Sequence, residues 1–187
     1  IQYFFVSYEP KYGFVQCRFN KDGEWRLITI DDKIPCKNGT ICFGRCRDPN
    51  ELWVPLIEKA YAKLHGSYEN IESGVINNAL VDLTGEPSQS LEINPEDIQW
   101  ADMKKFMEEG FYVGCAASQP EGAVEKDNGL GILINHAYGV LDFIEAQGKK
   151  LVKLRNPWGQ YEWKGRWSDG SKEWTESLIR ELGVVFA

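Results

Sequence analysis

Two side chains in this sequence have the types and the spacing to move a proton, His136 and Asn156. The midpoint between them is residue 146, within Ala146-Gln147-Gly148, a turn that joins two runs of strand character at 136–144 and 150–155. In an antiparallel pair, residues equidistant from the turn face each other at about 5 Å. The spacing therefore predicts that His136 and Asn156 are neighbours at the open end of a hairpin. An Asn carbonyl accepts from one ring nitrogen and sets the tautomer, and the other nitrogen can then take a proton from a thiol. An amide suits a thiol, because thiolate and imidazolium already form an ion pair and need no further carboxylate. Trp158, two residues past Asn156, is placed to roof the pair against water. On spacing alone, the same residues also read as a satisfied polar His at a strand start and an Asn turning the chain before Pro157.

The elements that must position this pair can be read from periodicity and turn chemistry. The first 35 residues read as strands, with alternation over 13–19, a turn at Asn20-Lys21-Asp22-Gly23 and a return strand over 24–31. A helix is predicted from about Glu51 to His65, started by Asp48-Pro49-Asn50 and stopped by Gly66. Leu52, Leu56, Ile57, Ala60, Tyr61 and Leu64 form its apolar stripe. A shorter helix fits 74–83, and Asn94-Pro95 opens another that ends near Gly110. Strand character returns at 111–117, a polar stretch follows at 118–129, and a last helix is expected over 172–182 with Trp174, Leu178 and Leu182 on one face. Strands and helices do not alternate regularly. The expected fold is therefore α+β, an antiparallel, barrel-like β-sheet subdomain with flanking helices, in a single domain over 1–187.

Composition narrows the function. The chain has 187 residues, one domain's worth, and 43% are hydrophobic, enough for a core without staples. Twenty-one basic against 28 acidic side chains give a net charge of −7, a poor match to nucleic acid or an anionic membrane. No apolar run approaches the length of a membrane span. The opening Ile1-Gln2-Tyr3-Phe4-Phe5 and the closing Val184-Val185-Phe186-Ala187 both read as cut ends, so a fragment of a longer protein is expected. Cys17, Cys36, Cys42, Cys46 and Cys115 form an odd set without a CxxC, which reads as free thiols in a reducing cytoplasm. Asn38-Gly39-Thr40 matches a glycosylation sequon but reads as a turn. His65 ends a helix and suits a C-terminal cap.

Ile134-Asn135-His136-Ala137-Tyr138 and Arg155-Asn156-Pro157-Trp158-Gly159 resemble the His and Asn motifs of papain-like cysteine proteases. The continuation through Glu162-Trp163 and Gly165-Arg166-Trp167-Ser168-Asp169 resembles the calpains more specifically. Gly23-Glu24-Trp25, Asp31-Asp32-Lys33-Ile34-Pro35, the run 56–63 and Gly66-Ser67-Tyr68 resemble calpain core sequence in the same order.

The resemblance implies the second half of a calpain protease core, the half that contributes His136 as base, Asn156 as its orienting amide and Trp158 as a shield. It implies an intracellular calcium-dependent cysteine endopeptidase performing limited proteolysis of protein and peptide substrates. The calpain nucleophile belongs to the other, upstream half, as a Cys followed by Trp at a helix start. No cysteine here has that context. Cys17 sits in mid-strand between Gln16 and Arg18 and Cys115 in an apolar strand, so this chain alone is expected to be inactive. Calcium ligands resembling Glu162 and Asp169 are present, with further oxygens expected downstream of Ala187. Two carboxylates fall short of the six to eight oxygens Ca²⁺ takes, so a weak or incomplete site is implied. No EF-hand loop occurs, because Val124 holds the first ligand position of the near-match ending Asp127-Asn128-Gly129. The stretch 118–129 resembles a loop flanking the substrate groove, and Asn135 stands where calpains commonly have Gly. A different class of function is a catalytically silent calpain-like scaffold. A Cys followed by Trp in the upstream half would favour the enzyme, and Ser, Lys or Gly at that Cys position the scaffold.

Overall fold

The structure, a computed structural model, describes residues 4–93, 99–117 and 125–186. The helix start expected at Asn94-Pro95 and the first part of the 118–129 stretch lie outside the described residues. The chain divides into two compact units, Ile1–Leu91 and Glu92–Ala187.

In the first unit, β1 (Phe5–Glu9), β2 (Phe14–Lys21) and β3 (Glu24–Asp31) form an antiparallel meander in that order. The β2–β3 ladder runs unbroken from Phe14↔Asp31 to Lys21↔Glu24. Asp22 and Gly23 close it with φ of 56° and 81°, the left-handed pair that a two-residue hairpin needs. Alternation points Val15, Cys17 and Phe19 inward, each fully buried, while Phe14 lies on the other face and stacks on Tyr12. A second small hairpin, β4 (Cys36–Lys37) and β5 (Thr40–Ile41), turns at Asn38-Gly39 with φ of 52° and 77°. The sequon is thus a turn, as expected.

α1 (Trp53–His65) covers the sheet. Leu56, Ile57, Ala60, Tyr61 and Leu64 pack into the core with Ile30 and Leu83, whereas Leu52 stays exposed. The helix starts two residues later than expected, because Asp48 spends its carboxylate on the Asn50 N–H at 2.8 Å and not on the helix. Gly66 ends it at φ 103°. α2 (Ile76–Thr84) carries the buried Asp82, which accepts from Tyr61 Oη and bonds His65 Nε2, both at 2.9 Å, with Lys21 at 3.4 Å. Burial, and then this carboxylate, push the Tyr61 hydroxyl pKa upward. His65 therefore ties α1 to α2 and does not cap its helix through the ring.

The second unit begins with α3 (Trp100–Glu108), whose Trp100 meets Phe143 edge-on at 5.3 Å. β6 (Val113–Ala116), a short pair β7 (Lys126–Asp127) and β8 (Leu133–Ile134), and the long hairpin β9 (Ala137–Ala146) and β10 (Lys149–Arg155) follow. The main sheet has the order β10-β9-β6, all antiparallel. α4 (Glu176–Leu182) is shorter than expected, because Thr175 caps it by accepting from Leu178 N–H and Trp174 precedes it. Gln147, at the hairpin tip, donates to Ser177 and Glu181 of this helix. The fold is α+β, and no sheet closes into a barrel among the described residues.

Candidate active site

The β9–β10 hairpin sets the site. Gln147 and Gly148 form its two-residue turn with φ of 48° and 71°, so Ala146 pairs with Lys149. The ladder holds this register to Lys153↔Asp142 and then slips to Leu154↔Val140 and Arg155↔Gly139. Leu141 is the extra residue, a bulge. Continued one step past Arg155↔Gly139, the register would set Asn156 opposite Tyr138. The equidistance expected from the turn is therefore off by two residues. His136, just before β9, and Asn156, just after β10, nevertheless meet by a diagonal reach, with Nε2 and Oδ1 2.8 Å apart.

The segment after β10 explains why Asn156 is held. Its Oδ1 accepts from the Trp158 N–H at 3.0 Å, and its Nδ2 donates to the Gln160 carbonyl. Both ends of the amide are thus used, and the oxygen faces the imidazole. Trp158 lies edge-to-face against His136 with centroids 4.7 Å apart and keeps 52% of its surface in solvent. His136 itself is only 4% exposed. The ring is covered, but by one layer of side chains.

Two further residues complete the surroundings. Tyr138, two positions on and hence on the same strand face, sets its ring edge-on to His136 at 5.0 Å and accepts from Leu133 N–H at 2.8 Å. Strand alternation could have found it. Glu125 places Oε1 2.9 Å from His136 Nδ1. The sequence reading leaves this nitrogen free for a thiol, but in the structure it carries a carboxylate. Glu125 immediately precedes β7, whose pairing with β8 brings it beside His136, and strands of two residues are too short for alternation to announce.

None of the cysteines occupies either ring nitrogen. Cys17 lies in the core of the first unit, where burial pushes its thiol up to about 11. Burial also raises the Cys115 thiol, which sits in β6 in register with Tyr138. All five cysteines are unpaired.

Glu162 and Asp169 lie in the Trp-rich segment after β10. This segment is pinned by indole N–H groups, Trp163 to the Arg166 carbonyl at 2.6 Å and Trp174 to the Ser168 carbonyl at 3.0 Å. The Glu162 carbonyl closes against Gly131, whose φ of 87° and lack of Cβ permit the approach. Among the described residues, no group of three or more His, Cys, Asp or Glu side chains is placed to hold a metal ion. Asp127 and Asn128 use their side-chain oxygens on the N–H groups of Gly129, Gly131, Leu130 and Ile132, as turn caps.

The site is thus a buried imidazole oriented by a fixed amide and covered by an indole. The family model described as calpain family cysteine protease matches residues 4–182. The chain belongs to the calpain family. It is 42% identical over 193 residues to the calpain-type cysteine protease ADL1 of Oryza sativa subsp. japonica, covering 96% of this chain and 9% of that protein. It is 34% identical over 201 residues to Calpain-5 of Caenorhabditis elegans, with coverages of 92% and 31%. It is 38% identical over 176 residues to Calpain-9 of Rattus norvegicus, with coverages of 90% and 25%. The chain thus spans about a tenth to a third of the length of these calpains.

Asn135, where calpains commonly carry Gly, has φ 59° and donates its N–H to the Ala117 carbonyl at 2.8 Å. This is the left-handed region, which Gly takes freely and Asn tolerates best among other residues. The departure is therefore accommodated by the same backbone. Asn135→Gly should leave the urea midpoint within about 0.5 kcal/mol of the parent, whereas Asn135→Val should cost about 1–2 kcal/mol. A Val variant as stable as the parent would contradict the left-handed geometry.

Proposed function

We propose that this chain supplies the general base and its orienting amide to a calcium-dependent cysteine endopeptidase that performs limited proteolysis. The nucleophilic thiol comes from an upstream Cys-bearing subdomain of the same polypeptide. The observation that carries this reading is the 2.8 Å contact between His136 Nε2 and Asn156 Oδ1, with the amide locked at both ends. The amide fixes the proton on Nε2 and directs Nδ1 toward the reacting sulfur. His136 takes the thiol proton and returns it to the leaving amine, Asn156 holds the ring through the transfer, and Trp158 keeps water from the hydrogen bond. The thiols measured against this role favour an outside nucleophile, because burial raises both Cys17 and Cys115.

Calcium enters as an expectation of the family, with Glu162 and Asp169 as two of its ligands. Five unpaired cysteines support a reducing, cytoplasmic setting. No helix among the described residues is long and apolar enough to cross a membrane.

The test compares peptide cleavage by this chain alone with cleavage by the intact protease, each with Ca²⁺ and with a chelator. Turnover should appear only in the intact protein with Ca²⁺. Turnover by the chain alone would refute an outside nucleophile, and an intact protein that never cleaves would favour the scaffold.

A further inference from the structure

Both ring nitrogens of His136 face an oxygen. Nε2 faces Asn156 Oδ1 at 2.8 Å and Nδ1 faces Glu125 Oε1 at 2.9 Å. The Asn156 amide cannot be turned over, because its Nδ2 donates to the Gln160 carbonyl and its Oδ1 accepts from Trp158 N–H. The atom on Nε2 is therefore an acceptor and demands a proton there. A carboxylate on Nδ1 also only accepts. A neutral imidazole has one N–H and cannot serve both oxygens, whereas an imidazolium can.

We propose that Glu125 is the resting counterion of His136, holding it as imidazolium and occupying the place on Nδ1 that a thiolate takes in the working enzyme. The second part rests on the base role proposed above; the protonation state does not.

Burial alone disfavours a charged ring, so the assignment rests on the paired carboxylate. A cation that is 96% shielded from water needs a charged partner close by, and Glu125 is that partner. The Glu125 side chain keeps 34% of its surface in solvent, so its outer side stays hydrated and it can leave Nδ1 without a large desolvation change. Among the described residues, Tyr138 also lies against the ring, and its hydroxyl is engaged by Leu133 N–H. The proton balance follows. As a thiol enters, Glu125 leaves with the Nδ1 proton and passes it to solvent, and the freed Nδ1 takes the S–H proton, so His136 still acts as the base. Thiolate then replaces carboxylate at Nδ1, and no other covalent bond changes. Glu125 is thus a positioning residue that competes with the nucleophile.

The test is ¹⁵N NMR of the 187-residue chain at neutral pH with labelled histidine. The wild-type chain should show protons on both nitrogens of His136. Glu125→Gln should lose the Nδ1 proton, move that nitrogen to the bare-imine position and keep the Nε2 proton, with an unchanged far-UV dichroism as the folding control. A bare Nδ1 in the wild-type chain, or a two-proton ring surviving in E125Q, overturns the proposal. If the variant does not fold, the wild-type spectrum decides alone. Activity lost or kept on altering His136 in the intact protease would leave these spectra as they are, so failure of the base role is told apart from failure of the counterion.

Discussion

Replacing His136 by Ala in the intact protease should lower kcat for peptide cleavage by about 10³-fold or more. KM should change little, because in the proposed role the imidazole acts on the sulfur and the leaving nitrogen and not on the substrate's recognition groups. The loss has two parts. Without the ring the thiolate has no partner of opposite charge, and the departing amine has no acid. Tyr138 Oη is held by Leu133 N–H, Asn156 is committed to Gln160 and Trp158, and the Glu125 carboxylate beside Nδ1 has the wrong charge to pair with a thiolate. The variant should keep the far-UV dichroism of the parent. Turnover within tenfold of the parent would remove His136 from the role of base.

Phe19→Ala should cost about 3–5 kcal/mol in urea unfolding. Against a total stability of about 5–15 kcal/mol, that is a large fraction. Phe19 is fully buried at the centre of β2, and its ring meets Tyr61 of α1 at 5.6 Å. It belongs to one buried cluster with Val15, Cys17, Ile30 and Ala60. These neighbours belong to a hydrogen-bonded sheet and a helix and cannot collapse into the space a ring leaves. The midpoint should fall with the slope unchanged. A cost below about 1 kcal/mol would show that β2 and α1 are not packed as described.

The parts that could be read before the structure were those set by local chemistry. Asp22-Gly23, Asn38-Gly39 and Gln147-Gly148 mark hairpins because left-handed φ selects such residues, and the stripe on α1 marks a helix because apolar side chains repeat at 3.6. What failed was set by competition for the same atoms. Asp48 caps an Asx turn in place of α1, and Thr175 takes the start of α4 from residues further upstream. For the site, residue chemistry found His136, Asn156 and Trp158, and the structure brings all three together. The geometric reason was incomplete, since no pattern announces the bulge at Leu141. Glu125 was missed altogether, because its contact depends on the pairing of β7 with β8, two strands too short to show a period. Asn135 could be flagged only by resemblance, and its meaning came from its φ of 59°.

The slip at Leu141 makes the β9–β10 segment behave as a measuring rod. Adding or deleting one residue there would swap the two faces of a strand beyond the change. His136 and Asn156 would then point apart although both were still present. Substitutions along the rod are a matter of stability, whereas indels are a matter of alignment. Mutational tolerance in this stretch should therefore track residue count far more closely than side-chain identity.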